Sequence, residues 1–288
     1  MVWLNAILQG VLVGGLYALF AAGLSLIFGV MRLVNIAHGD LIVLAAYVAL
    51  TCVTLTGMNP LLAILVVAPL MALFGYALQK FIFNRTLGDD ILPPLLVSFG
   101  LSVIIQNALL QVYTADSRKL NAGPIEVASI KIADGLSIGW MPLIMFVSAI
   151  VIIGALQFMF YSTPLGRALR ATSDDQEMAR LMGYNNRRLY SMAMAISLAI
   201  VAVAGIFLAS RANFDPSIGP QRLIFGFEAV IIGGLGNLWG TLLGGIILGV
   251  AQAVGAMIDP GWQLLAGHIV FLIVLAVRPE GLFPRVDG

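Results

Sequence analysis

Charge is what this chain has least of. Only 10% of its 288 residues are Asp, Glu, Lys or Arg, against about 25% in an ordinary soluble domain. A soluble fold of this length needs a polar shell, and these side chains cannot supply one. The net charge of +1 leaves no bulk electrostatic attraction for nucleic acid. A single cysteine, Cys52, lies inside an apolar run, which excludes a disulfide framework and leaves the redox compartment unread. Lysine occurs three times (Lys80, Lys119 and Lys131), and never after a G-x-x-x-x-G-K-[ST] loop. Any ATP used in its work must therefore be hydrolysed by another chain. The two histidines, His38 and His268, lie far apart in sequence. With no H-E-x-x-H, no cysteine cluster and no paired acids inside a span, there is no basis for metal binding or covalent catalysis.

What is abundant is hydrocarbon. Residues 1–31, 41–79, 91–115, 135–166 and 189–210 carry no charge, and 229–277 carries only Asp259. Each stretch is long enough to supply the ~20 apolar residues that cross a ~30 Å hydrocarbon core as a helix. The alternating ~10-residue segments of an outer-membrane barrel are absent. The expectation is an all-α integral membrane protein, one transmembrane domain over 1–288. It has about eight spans, near 4–29, 37–56, 60–83, 92–113, 138–161, 189–210, 223–255 and 262–278. The N-terminus lacks the basic region of a secretory signal, so the first run reads as a retained span, with Trp3 as an interfacial anchor. The run 223–255 is too long for one straight span, and its Gly-Gly-Leu-Gly-Asn interruption suggests a broken helix. Residues 29–40 are a second candidate break.

One polar island interrupts the apolar text. Residues 162–188 hold Arg167, Arg170, Arg180, Arg187 and Arg188, which marks the loop as cytoplasmic. Lys80 and Arg85, two spans earlier, agree. The N-terminus is then outside and Arg32 inside, with a tight external turn at Gly57-Met58-Asn59. The loop 114–137 is external despite Arg118, Lys119 and Lys131, which Asp116, Glu126 and Asp134 offset loosely. Arg278 and Arg285 argue for an inside C-terminus, which eight unbroken spans forbid. Within the island, Thr163-Pro164 reads as N-cap and first helical residue. Ser173 to Gln176 fits a capping box, with Asp174 and Asp175 in the first turn of a helix over roughly 174–182. Met178, Leu181 and Met182 form an apolar stripe, and Gly183 follows as the C′ residue. An acidic first turn and a methionine-bearing stripe suit a protein groove better than anionic lipid.

The island TPLGRALRATSDDQEMARLMGYN resembles the ATPase-coupling loop of ABC importer permeases. The surrounding chain is similar to the branched-chain amino-acid permease family of the LivH type. The similarity lies in GLYALFAAGLSLIFGVMRLVNIAHGDLIVLAAY, in the island, and in FEAVIIGGLGNLWGTLLGGIILG followed by RPEGLFP. The resemblance implies three kinds of partner: a periplasmic substrate-binding protein, a homologous second permease, and two cytoplasmic ATPase subunits that use the ATP, all around a bacterial inner membrane. It implies coupling through Thr163, Gly166, Arg167, Arg170, Asp174, Met178, Met182 and Gly183, with no cofactor in this chain. A related importer for urea or short amides remains open, as does an ion-coupled secondary carrier using Glu228 or Asp40.

The remaining candidates are polar or small residues at membrane depth. Asn35, His38 and Asp40 either break a helix and line the translocation path or form an ordinary cytoplasmic turn. Glu228 either lines that path or pairs with Arg222. Gln106, Asn107 and Asn237 read as interhelical glue, and His268 as a satisfied packing residue. Gly236, Gly240 and Gly244, with Gly245 and Gly249, are spaced for close helix packing within the subunit.

Overall fold

The computed structural model describes residues 1–88, 90–133 and 135–283, so Asp134 and Arg285 lie outside the described residues. The charge-free opening run becomes α1 (Val2–Met31), about 45 Å long at ~1.5 Å per residue. It is followed by α2 (His38–Thr56), α3 (Pro60–Phe81) and α4 (Leu92–Tyr113). A two-stranded antiparallel hairpin, β1 (Ser129–Ala133) and β2 (Leu136–Gly139), leads into α5 (Trp140–Ser162). Two short helices, α6 (Pro164–Asp174) and α7 (Gln176–Leu181), make the polar island. Then come α8 (Asn186–Arg211), α9 (Gly219–Gly233), α10 (Leu238–Ile258) and α11 (Trp262–Val277).

Among the described residues seven helices are long and apolar enough to cross a bilayer, and α11 is a shorter apolar one. Burial sorts them into centre and rim. The apolar window of α1 is 83% buried and that of α8 72%, against 22% for α4 and α5. Leu65, Leu73, Leu96, Ile104, Val151, Phe158 and Leu272 point outward, as lipid-facing side chains must.

The run 223–255 is two helices. α9 ends at Gly233, and Gly234 (φ 103°) and Gly236 (φ 79°) turn the chain into α10, capped by Asn237. Positive φ costs glycine nothing, which is why the reversal falls there. Gly236 thus sits in the turn and takes no part in a helical packing face, contrary to its grouping with Gly240 and Gly244. The other four glycines line contacts. A Cβ on Gly240 would strike the Gly233 carbonyl, and one on Gly244 the Ala229 carbonyl. Gly245 and Gly249 lie against Gly14 and Gly10 of α1, where a Cβ on Gly245 would sit 2.6 Å from the Gly14 oxygen.

Two of the helices start inside the fold. The His38 ring reaches the Phe20 carbonyl at 2.9 Å, level with the middle of α1, so residues 32–37 re-enter the bundle after α1 ends. Residues 212–218 do the same from the other side, and Phe214 is fully buried. The starts of α2 and α9 then meet back to back, Gly39 against Gly219, so closely that a Cβ on either would overlap the other helix or Asp40. The packing repeats with inverted direction. α1 lies along α10 as α8 lies along α3, α1 touches α9 as α8 touches α2, and α4 leans on α2 as α11 leans on α9. Inverted repeats with broken helices at mid-depth are a transporter architecture.

Counting α1, 32–56, α3, α4, α5, α8, 212–233, α10 and α11, the described chain passes nine times between two faces. The break between α9 and α10 therefore repairs the parity and brings Arg278 to the face that holds Arg32, Lys80, Arg85 and the island. That face holds most of the Lys and Arg among the described residues. The opposite face holds the hairpin, the start of α1 (Gln9 Nε2 donates to the Ser137 carbonyl, 2.7 Å) and the end of α8 (Leu120 N to the Ala209 carbonyl, 2.9 Å).

Candidate functional site

The island is an elbow built on the end of α5. Thr163 is extended (φ −103°, ψ 155°), and its Oγ1 accepts from Gly166 N at 3.1 Å while donating to the Met159 carbonyl at 2.7 Å. Pro164 follows at the first helical position, where its missing N–H costs nothing. α6 then lies flat on the bundle with Ala168, Leu169 and Thr172 buried. Gly166 presses on the end of α5, where a Cβ would stand 2.5 Å from Phe160 Cα. At the far end Ser173 Oγ donates to the Gly29 carbonyl of α1 at 2.5 Å. Arg170 stacks over Tyr161, 4.7 Å from its centroid, while Arg167 and Asp174 are exposed.

Two details of the expected capping box are overturned. Ser173 and Asp174 are the last residues of α6, so neither opens the next helix. The N-cap of α7 is Asp175, whose Oδ1 accepts from Glu177 N and Met178 N at 2.9 Å each. The S-x-x-Q spacing fits a capping box, but α6 is still running through Ser173, and Asp175 caps as well as serine does. Downstream, Gly183 has φ 88° and Tyr184 N closes onto the Ala179 carbonyl at 3.0 Å. α7 is held from beneath by buried Ala179 and by Asn186 Nδ2 donating to the Gln176 carbonyl at 2.8 Å. Its outer side presents Met178, Leu181 and Met182, 60%, 75% and 80% exposed. Three apolar side chains in water on a fixed short helix form an unpartnered face.

Deeper in the bundle, the polar residues are tied down. Asn35 and His38 are fully buried and Asp40 nearly so. Asp40 accepts from Ser102 Oγ (2.6 Å) and Gln106 Nε2 (2.9 Å), joining α2 to α4, and Ile36 N donates to Ser98 Oγ (3.1 Å) in the same place. Gln106 thus joins two helices, whereas Asn107 bonds only its own helix through Val103. Asn237 caps α10 and holds Phe283. Glu228 pairs with His268 of α11 and not with Arg222. The geometry explains the difference. Residues six apart on a helix do not share a face, and Arg222 instead sits over Phe225 in its own turn. The polar links Asp40–Ser102 and Glu228–His268 therefore join corresponding helix pairs of the two halves, each fastening a rim helix to a half-helix, Asp40 in the first turn of α2 and Glu228 farther along α9. Sequence gave no sign of the second link, because its partners are 40 residues apart.

A cavity of about 1180 Å³ opens on the island face, lined by Gly29, Arg32, Phe160, Arg170, Ser173, Asp174, Gly236 and Trp239, among others. Asn35, His38, Asp40 and Glu228 do not line it. A second, of about 320 Å³, lies in the hairpin half between α1, α8, α9 and α10.

A family described as "Branched-chain amino acid transport system / permease component" matches residues 6–277. The high-affinity branched-chain amino acid transport system permease protein BraD of Pseudomonas aeruginosa is 29% identical over 303 residues, covering 99% of this chain and 97% of that one. The corresponding protein LivH of Escherichia coli is 26% identical, covering 99% and 96%. Escherichia coli LivM is 31% identical over 126 residues, 42% of this chain and 29% of LivM. PsaBC from Streptococcus pneumoniae, solved in complex with Fab, shares the fold with a TM-score of 0.50 at 15% identity, covering 96% of this chain and 92% of that one.

Proposed function

The chain belongs to the family of branched-chain amino acid transport permease components, and from that premise we propose that it forms part of the membrane conduit of an ATP-driven importer for leucine, isoleucine, valine or close relatives. It is a multi-pass membrane protein and a component of a larger transport system. In our reading the membrane is the bacterial inner membrane. The complete assembly adds a homologous second permease, two cytoplasmic ATPase subunits and a periplasmic binding protein.

The observation that supports this most is the elbow. α7 offers Met178, Leu181 and Met182 to a partner, and α6 is fastened at one end to α5 through Thr163 and at the other to α1 through Ser173. A push on α7 thus passes through α6 to α1, the most buried helix of the bundle. Gly166, Arg167, Arg170, Asp174 and Gly183 shape that lever. On the opposite face the binding protein docks over 114–137, which is bonded to the end of α8 and the 212–218 segment at Arg118 and Phe214. The polar links at Asp40 and Glu228 hold the half-helices that re-orient when the path switches sides.

Affinity purification of the tagged chain from its native membrane, with co-purifying chains identified by mass, tests the assembly. ATPase subunits and a second permease should appear in fixed ratio. Recovery of the chain alone under conditions that preserve other membrane complexes contradicts the proposal.

A further inference from the structure

The 320 Å³ cavity of the hairpin half is lined by no acid, yet two arginines enter it. Arg211 closes α8 and Arg222 lies in the first turn of α9. Among the described residues neither has a carboxylate within ion-pair distance. The Arg222 Nε is buried without an acceptor. Beside them Gln252 of α10 is 2% exposed, and its carbonyl oxygen already accepts the Tyr17 hydroxyl at 2.5 Å. That bond turns the Gln252 amide nitrogen away, and the nitrogen also is buried without an acceptor. Buried donors without partners are rare because each costs free energy, but the Gln252 nitrogen packs against Gly267 of α11, so it is the two cations that line the space. What the space lacks is an acceptor carrying negative charge. One side of its wall is apolar, with Val13, Leu16 and Phe20 of α1 and Leu208 of α8, while Gln9 and Gln263 add polar groups elsewhere. Its volume is at the small end of the ~300–1,000 Å³ of ligand clefts.

We infer that this cavity is a carboxylate-binding subsite for a small branched aliphatic acid, the amino acid in transit, entered from the hairpin face and read by Arg211 and Arg222. Planar guanidinium groups suit a carboxylate through paired N–H donors. The apolar side of the wall takes the hydrocarbon side chain. The inference rests on the permease reading and supplies the site that reading leaves unassigned. A carboxylate could also come from an acidic side chain of a docked soluble protein. The apolar wall favours the free amino acid.

The test uses the assembled transporter in nanodiscs and radiolabelled L-leucine, with L-leucinamide and 4-methylpentanoate as competitors. Leucine should bind, 4-methylpentanoate should compete, and leucinamide, which lacks the carboxylate, should not. Arg222→Gln should weaken leucine binding by about tenfold or more, the worth of a hydrogen bond to a charged group, while Arg222→Lys retains part of it. Equal competition by leucinamide overturns the inference, and that arm needs no variant to fold. So does unchanged leucine affinity in a folded Arg222→Gln protein that no longer captures the binding protein, since the carboxylate then belongs to that partner. ATP-driven leucine uptake without measurable leucine binding to the nanodisc complex removes the subsite and leaves the permease reading standing. Absence of uptake by the wild-type assembly removes the permease reading itself.

Discussion

Adding one methyl group at Gly166 should separate ATP hydrolysis from transport. The new Cβ would lie 2.5 Å from both Phe160 Cα and the Phe160 carbonyl oxygen, where ordinary contacts begin at 3.4 Å. These are backbone atoms of α5 and cannot swing aside, so α6 must retreat by roughly 1 Å in a close-packed contact. Overpacking of this kind costs about 1–3 kcal/mol. Replacing glycine by alanine in a helix returns at most ~1 kcal/mol. The balance is a loss of about 1–2 kcal/mol, concentrated where the elbow meets the bundle because Ser173 still holds the other end. A shift of that size lowers the ratio of seated to unseated elbow by about five- to thirtyfold. Uptake per ATP hydrolysed should fall by a similar factor, measured in the same proteoliposomes by radiolabelled leucine and released phosphate. Gly154→Ala on α5 is the control, since a Cβ there meets nothing within 4 Å, and it should leave the ratio unchanged. A Gly166→Ala transporter with the wild-type ratio would refute the reasoning.

Asp175→Ala should cost about 1 kcal/mol of cap energy and raise amide exchange across residues 176–181, whereas Ser173→Ala should leave α7 protected; equal effects would restore Ser173 as the cap. His268→Leu strands the Glu228 carboxylate, itself 3% exposed, and should lower thermal stability by about 1–3 kcal/mol. The lower end is expected because the imidazole side chain is 41% exposed, and adding Glu228→Gln should recover most of the loss. On the hairpin face, burial pushes the Glu126 carboxyl up, but the Lys119 ammonium (2.6 Å) and the Ala122 amide outweigh it and hold Glu126 below the usual glutamate range. A depressed carboxyl stabilises the fold above its unfolded pKa of about 4.3 and loses that contribution as pH falls through the folded value. Protection of the Ala122 amide, taken relative to its intrinsic exchange rate, should therefore fall below about pH 4 in the wild type and be low at every pH in Glu126→Ala; a protection factor in the wild type that does not change with pH would contradict the pairing.

The spans were legible because a bilayer demands long charge-free runs, and the turn at 234–237 was legible because only glycine and asparagine interrupt one there. The elbow's first helix announced itself through Thr163-Pro164. What could not be read was depth. Hydropathy assigns 212–218 to an external loop, since Asp215 and Ser217 are polar, yet Phe214 is drawn into the bundle by backbone bonds to Arg118. The same blindness hid the re-entry of 32–37, where burial of Asn35 and His38 depends on α1 and α4 lying alongside. Partners distant in sequence were equally invisible. Glu228 finds His268 because α9 packs on α11, and Tyr17 meets Gln252 235 residues away because α1 lies along α10. A capping-box spacing misled at Ser173 because local pattern competed with a helix already in progress.

The central claim is that this chain conducts but does not drive. Proteoliposomes holding the permease assembly without ATPase subunits, given leucine and an inward proton or sodium gradient, should accumulate none. The same vesicles with ATPase subunits, binding protein and ATP should concentrate it. Gradient-driven accumulation without ATPase subunits would contradict the claim.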